Sequence, residues 1–302
     1  MKRREFLVGG LGTALAGSQA GLQGESHSGR QQETADTLKI SAFQGRCTDD
    51  FDQNLDRVLN VMDQRGEAGC DFLCFPEAYL SNYTAELAVP LTDARIQRLI
   101  EASGRHDMVT VVGLSELEGG KILNTALVLS EGKLLGKYRK TMLTSFDKKI
   151  YATDFSLPVF KAKGLTFGVI ICHDSSFLEP AMTMRCKGAR LLFSPHYNRI
   201  SADRMDEHRK AVRNTHTGLA THLQMVVVRS NVVGWSDRGL GYGDTTIFSP
   251  LGEVVSAAPL FQETVISAQF ERSDFEHDEW FSRREIPGEV IEQLAQSIRS
   301  GD

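Results

Sequence analysis

The sequence predicts an α/β fold built on mixed sheets. Three observations carry the prediction. From Leu38 onward, short apolar runs rich in β-branched residues alternate with segments of helical periodicity. After Met225 the helical segments give way to strands separated by turn signals. No repeat and no linker interrupts residues 38–271, which read as one domain. The chain's 302 residues are 41% hydrophobic and 24% charged, which excludes a coiled coil, a collagen or a wholly disordered chain. A chain of that length buries a large core without staples.

Leu38–Phe43 is the first strand. A helix over Asp52–Glu67 puts Leu55, Val58, Leu59 and Met62 on one stripe. Asp71–Phe75 is apolar and closed by Pro76, so it reads as a buried strand ending at a loop. Asp93–Arg105 carries Ile96, Leu99 and Ile100 on a second helix. Met108–Leu114 and Leu123–Leu129 are strands around the Gly119-Gly120 turn. Leu165–Cys172 is a strand, and Glu179–Lys187 a helix stopped at Gly188. Leu191–Ser194 is a strand and Ser201–His222 a long polar helix. Met225–Ser230, Thr245–Phe248 and Val265–Phe270 complete the strands, with Pro250-Leu251-Gly252 turning between the last two.

Residues 1–37 read as an address followed by a polar linker. Arg3-Arg4-Glu5-Phe6-Leu7 opens an apolar Gly/Ala stretch with small residues at cleavage spacing, and resembles a twin-arginine export signal. Lys2 and Val8 depart from that pattern. The stretch is too short for a permanent membrane span, so no stable membrane insertion is expected. The expected location is periplasmic or extracellular, with the cytoplasm as the alternative. Residues 272–302 form a charged tail containing Trp280, Phe281 and Ile286, expected to pack on the body or on a partner subunit.

Lys plus Arg number 34 against 39 Asp plus Glu, a formal charge of −5 that disfavours nucleic acid as a partner. The five cysteines, Cys47, Cys70, Cys74, Cys172 and Cys186, are odd in number and do not make a disulfide scaffold. Cys70 and Cys74 lie at an apolar run with no second pair to complete a zinc site, and read as buried thiols. His208, His216 and His222 lack the four-residue metal spacing and read as solvated or packing groups.

Three residues point to chemistry. Cys172 ends the strand Phe167-Gly168-Val169-Ile170-Ile171-Cys172 just before a helix signal, where a helix N-terminus favours thiolate. Periodicity alone leaves it equally a core thiol. Glu77 follows a buried strand and Pro76, where an apolar surround raises a carboxyl pKa toward that of a general base. Taken alone, such a residue is more often an ordinary loop carboxylate. Lys140 ends Gly136-Lys137-Tyr138-Arg139-Lys140, either a solvated basic turn or a fixed ammonium for an oxyanion. All three fall at C-terminal ends of strands, where α/β sheets place their sites.

With Phe75-Pro76-Glu77, Tyr138-Arg139-Lys140-Thr141, Gly168-Val169-Ile170-Ile171-Cys172-His173-Asp174 and Gly188-Ala189-Arg190-Leu191-Leu192-Phe193-Ser194-Pro195 in order, the chain resembles the nitrilase, or carbon–nitrogen hydrolase, superfamily across nearly all of 38–270. The resemblance implies an α-β-β-α sandwich of mixed sheets flanked by helices. It implies Cys172 as nucleophile, Glu77 as general base, Lys140 at the tetrahedral intermediate and the His173 backbone N–H at the oxyanion. It also implies a homo-oligomer, and no metal or organic cofactor.

Many amide-cleaving relatives carry a second glutamate after the lysine. Here Thr144 to Asp154 holds none, and Asp147 is the candidate substitute, one methylene shorter. His173-Asp174 after the cysteine, instead of Trp-Glu, resembles the amidase and carbamoylase branches more than true nitrilases. Tyr83, Asp147, His196, Asn198 and Arg199 are the expected substrate-binding residues. Arg199 is open to two roles, a bidentate partner of a substrate carboxylate or part of a loop capping the following helix. The function expected is hydrolysis of a small amide or N-carbamoyl compound. The alternatives are a nitrilase, a non-hydrolytic pseudoenzyme and an acyltransferase relative.

Overall fold

The computed structural model describes residues 37–276 and 287–300. The signal-like segment lies outside the described residues, as do Trp280, Phe281 and Ile286.

In chain order the elements are β1 (Thr37–Gln44), α1 (Phe51–Glu67), β2 (Phe72–Cys74), α2 (Ala94–Ala102), β3 (Val109–Glu118), β4 (Lys121–Ser130), β5 (Lys133–Arg139), β6 (Phe160–Ala162), β7 (Leu165–Val169), α3 (Leu178–Cys186), β8 (Leu191–Pro195), β9 (Arg199–Ile200), α4 (Met205–Leu223), β10 (Val226–Ser230), β11 (Val233–Ser236), β12 (Gly239–Tyr242), β13 (Thr246–Phe248), β14 (Val254–Ala257), β15 (Thr264–Glu271) and α5 (Gly288–Ser300). They form two six-stranded sheets, ordered β15-β1-β2-β3-β4-β5 and β14-β13-β10-β8-β7-β6, and a small sheet β11-β12-β9. Both large sheets are mixed. Their inner strands run parallel, and antiparallel strands close the sides.

Side-chain alternation decides the layers. In the first sheet Phe72, Cys74, Val111, Ala126 and Val128 join the apolar layer shared with the second sheet. Their neighbours Leu73, Val112, Leu127 and Leu129 pack instead against α1 and α2. The stripe expected on α1 is buried, and the Asp50 side chain caps the helix by accepting from the Gln53 N–H at 3.1 Å. Met184 of α3 and Leu219, Ala220 and Leu223 of α4 join the core of the second sheet. The order is helix, sheet, sheet, helix, as expected. Phe72 reaches Phe167 at 5.5 Å and Phe193 at 6.0 Å, joining the sheets.

Several boundaries differ from the sequence reading. Thr37, assigned to the linker, opens β1 opposite Glu271. The tail begins inside the fold, because Phe275 is buried against Phe270 at 5.8 Å. Strands β5, β6, β9, β11, β12 and β14 were not anticipated. Among the described residues, no helix is long and apolar enough to cross a membrane. All five cysteines are free, and Cys70 and Cys74 are buried as expected.

Two topological facts position the site. β5 lies two antiparallel steps from β3 and therefore runs parallel to β2, so Glu77 and Lys140 leave the first sheet at the same edge. Cys172 and Asn198 follow β7 and β8, which are parallel neighbours in the second sheet.

Candidate active site

Glu77 is 1% exposed. Its N–H donates to the His196 carbonyl at 3.2 Å, tying the loop after β2 to the end of β8. Its Oε1 accepts from Asn124 Nδ2 and from Lys140 Nζ, both at 2.8 Å. Its Oε2 is buried with no hydrogen-bond partner. One oxygen is thus held and the other is left for a proton.

Lys140 is equally buried. Its backbone N–H donates to the Asn124 carbonyl at 2.9 Å, continuing the β4–β5 ladder past the end of β5. Its ammonium lies between Glu77 and Asp147 Oδ2, the latter at 2.9 Å, with the Tyr83 hydroxyl at 3.5 Å. Asp147 is held in turn by the Thr144 N–H at 2.8 Å and by the Tyr83 hydroxyl, which donates to Oδ1.

Cys172 opens a short 3₁₀ turn with φ of +47°, a left-handed conformation rare for a residue with a side chain. Asp174 fastens this turn. It accepts from the Ile171 N–H at 2.8 Å, the Met142 N–H at 2.6 Å and the Tyr138 hydroxyl at 2.7 Å. The loop after β5 and the loop after β7 are therefore one hydrogen-bonded body. The His173 N–H lies in the first turn, where a helix supplies no acceptor of its own. Asn198 Nδ2 lies 3.6 Å from the sulfur.

The charges separate two carboxylates by environment. Burial, with Asp147 adding to it, raises the Glu77 carboxyl against the opposing pull of Lys140. Burial also acts on Asp147, but Lys140 and its hydrogen bonds to Tyr83 and Thr144 prevail and hold it below the usual range. Burial works against the Lys140 charge, yet Glu77, Cys172 and Asp147 outweigh it and keep the ammonium well above the ordinary lysine value. Burial and Glu77 push the Cys172 thiol up to about 12, so it needs a base at neutral pH. A raised acid beside an acid held ionised is the pattern of a proton carrier and a fixed charge.

Of the expected residues, the structure brings together Glu77, Lys140, Cys172, Tyr83, Asp147 and Asn198. It does not bring His196 with them. That ring is 2% exposed and turns inward, with Nε2 at 3.0 Å from Ser194 Oγ and 3.2 Å from His216 Nε2. Burial pushes His216 down to about 3 and His196 well below the ordinary value, so both rings are neutral. His216 is thereby one of the packing histidines the sequence suggested. Arg199 is half-buried on β9 and donates to the Gly234 carbonyl at 2.8 Å while lying over the Tyr197 ring. It is a strand residue and not a helix cap.

Sequence reasoning missed Asn124, which holds Glu77, and Arg229, which holds Asn198 at 2.7 Å. Each left a signal, a polar residue inside an apolar strand: Asn124 within Leu123–Leu129 and Arg229 within Met225–Ser230.

The carbon-nitrogen hydrolase family model matches residues 39–278, and the chain belongs to that family. A glutamine-dependent NAD(+) synthetase of Xylella fastidiosa (strain 9a5c) is 33% identical over 78% of the chain and 45% of its own length. The chain thus spans about half the length of these synthetase relatives. An (R)-stereoselective amidase of a Pseudomonas species is 28% identical over 73% of the chain and 81% of its own length. In structure, an amidase from Nesterenkonia sp. superposes with a TM-score of 0.73 at 18% identity, covering 88% of this chain and 99% of that one. The fold is that of the nitrilase superfamily.

Proposed function

We propose that the protein cleaves a non-peptide C–N bond of a small amide or N-carbamoyl compound through a thioester on Cys172. One observation carries the reading. Glu77 Oε1 is fixed by Lys140 and Asn124 while Oε2 is buried and unpartnered, so the base has one free oxygen and cannot turn away.

Glu77 takes the thiol proton as the sulfur attacks the carbonyl carbon. Negative charge develops on the carbonyl oxygen, where the Lys140 ammonium and the His173 N–H are the donors. The C–N bond breaks and the departing nitrogen takes the proton from Glu77, leaving the thioester. Glu77 then takes a proton from water as it attacks. Collapse frees the acid, and the proton returns to the thiolate. Asp147 keeps Lys140 charged and in place throughout. Tyr83 positions Asp147.

The test is ammonia release from a panel of amides, N-carbamoyl compounds and nitriles. Wild type is expected to release ammonia from amides or N-carbamoyl compounds, and Cys172→Ala to release none. Equal release by both overturns the assignment. Release from nitriles alone selects the nitrilase reading. Absence of any turnover, with Cys172 alkylated no faster than Cys74, selects a pseudoenzyme. A new amide formed with added amines selects acyl transfer.

A second reading narrows the substrate to glutamine. Its support is the 33% identity to relatives named for glutamine dependence. Including glutamine in the panel tests it. Export and self-association stand as further proposals, read by N-terminal sequencing of secreted protein and by light scattering.

A further inference from the structure

Asn198 was expected to meet substrate. Its geometry gives it a different neighbour. The arginine guanidinium only donates, so the amide atom 2.7 Å from Arg229 Nη2 is the oxygen. The nitrogen of the same amide must then face the other way, and there it lies 3.6 Å from Cys172 Sγ. We propose that the Asn198 amide donates to the Cys172 sulfur, and that Arg229 fixes the orientation in which it does so. The proposal rests on Cys172 being the nucleophile and adds to that role.

Arg229 is built to hold one pose. It is fully buried on β10. Nη1 donates to the Gly243 carbonyl at 3.2 Å and to the Asp244 carbonyl, while Nη2 also reaches the Tyr242 hydroxyl at 3.3 Å. The Asp244 carboxylate that balances its charge is itself gripped by Arg209 at 2.9 Å and Arg213 at 2.7 Å, both from α4. The Asn198 backbone N–H donates to Asn231 Oδ1 at 2.9 Å, and Asn231 Nδ2 to the Gly243 carbonyl at 2.6 Å. Backbone and side chain of Asn198 are thus fixed by the same corner of the second sheet.

A donor at the sulfur favours thiolate over thiol. It therefore assists attack, and assists departure of the same sulfur when the thioester collapses. The other groups acting on the sulfur are Glu77, Lys140, Asp147, Tyr83 and Tyr242. Of these only Lys140 is cationic. Asn198 is a catalytic residue in this account, since it touches a reacting atom, and Arg229 is a positioning residue.

The experiment is the pH profile of iodoacetamide alkylation at Cys172, read on its own peptide by mass spectrometry. Asn198→Ala is expected to move the profile up by about one pH unit, about tenfold slower on its rising limb. Arg229→Gln, whose amide both donates and accepts, is expected to move it the same way. Arg229→Lys, which only donates, is expected to retain more of the rate. In the Asn198→Ala background, Arg229→Gln should add no further shift. An unmoved profile in Asn198→Ala overturns the donor role. A full, additive shift from Arg229→Gln in the double variant overturns the positioning role. If Arg229→Gln fails to fold, Asn198→Ala and Arg229→Lys decide. Alkylation needs no turnover, so an inactive Cys172→Ala beside an unmoved Asn198→Ala profile sinks this proposal alone. A hydrolytic Cys172→Ala sinks the hydrolase reading instead.

Discussion

At the scale of single residues, the site is a division of labour among two acids and one ammonium. Glu77 and Asp147 both touch Lys140 Nζ, at 2.8 and 2.9 Å, but their other partners differ. Asp147 has two further donors, whereas Glu77 has one, with Oε2 unpartnered. The charge of Asp147 also raises Glu77, after burial. Asp147→Asn removes that push without shortening the side chain. The Glu77 carboxyl then loses its proton at lower pH, so the base is available earlier in a titration. The acid limb of kcat/KM is expected to shift to lower pH. Maximal kcat should fall by about ten- to a hundredfold, because Lys140, still held by Glu77, loses one of its two carboxylate partners. A pH–rate profile checks both. An acid limb that stays fixed, or moves up, contradicts the charge assignment. Asp147 reaches the lysine from its own 3₁₀ turn, Asp147–Lys149. Sequence offered the residue type, but that reach belongs to the backbone.

At the scale of elements, strand ends and close backbone approaches set where these side chains stand. Gly113 of β3 passes directly beneath the Glu77 loop. A Cβ there would meet Ala78 N at 2.4 Å and Pro76 O at 3.0 Å, both backbone atoms with no side-chain rotamer to give way. Gly113→Ala is therefore expected to cost about 1–3 kcal/mol, as overpacking does. It should lower kcat as well, by displacing Glu77. A urea midpoint and a kcat measured at the same temperature check the pair. Unchanged values for both would mean the loop moves freely. The elements that sequence revealed are those with a period: the α1 stripe Leu55, Val58, Leu59 and Met62, and the apolar strands that became β2, β7 and β10. Those it hid lack one. β11 and β12 carry Gly234, Gly239 and Gly241 and an exposed Trp235. β14 is an edge strand whose residues are mostly exposed, and β9 has only two residues. Glu77 and Cys172 were legible because each follows a strand with a clear apolar pattern, whereas Lys140 follows β5, which has none, and only the motif Tyr138-Arg139-Lys140-Thr141 pointed to it. Asn124 and Arg229 were not legible, because their partners are supplied only by folding. His196 was misjudged because sequence does not say which way a residue after a strand turns.

At the scale of the whole molecule, the site is an interface between two sheets. Glu77 and Lys140 leave the first, while Cys172 and Asn198 leave the second. The distance from base to sulfur is therefore set by how the sheets pack. The contact layer includes Phe72 from the first sheet against Phe167 at 5.5 Å and Phe193 at 6.0 Å from the second. Phe72 is fully buried. Truncating it leaves a cavity between the sheets without touching any side chain of the site. Phe72→Ala is expected to destabilise the fold by about 3–5 kcal/mol. Where the variant remains folded, kcat should fall disproportionately to KM, since a shift of about 1 Å in a reacting pair costs on the order of a hundredfold in rate. Circular dichroism in urea reads the stability, and steady-state kinetics well below the unfolding midpoint read the rate. A variant that loses the stability yet keeps wild-type kcat would mean the two loops fix the site between themselves. The Asp174 bonds to Met142 and Tyr138 would be the means, because they join the Lys140 loop to the Cys172 turn without the sheets. Kinetics of Asp174→Asn in the Phe72→Ala background would then separate the two contributions. A loss confined to the double variant assigns the geometry to the loops. A loss already complete in Phe72→Ala assigns it to the packing of the sheets.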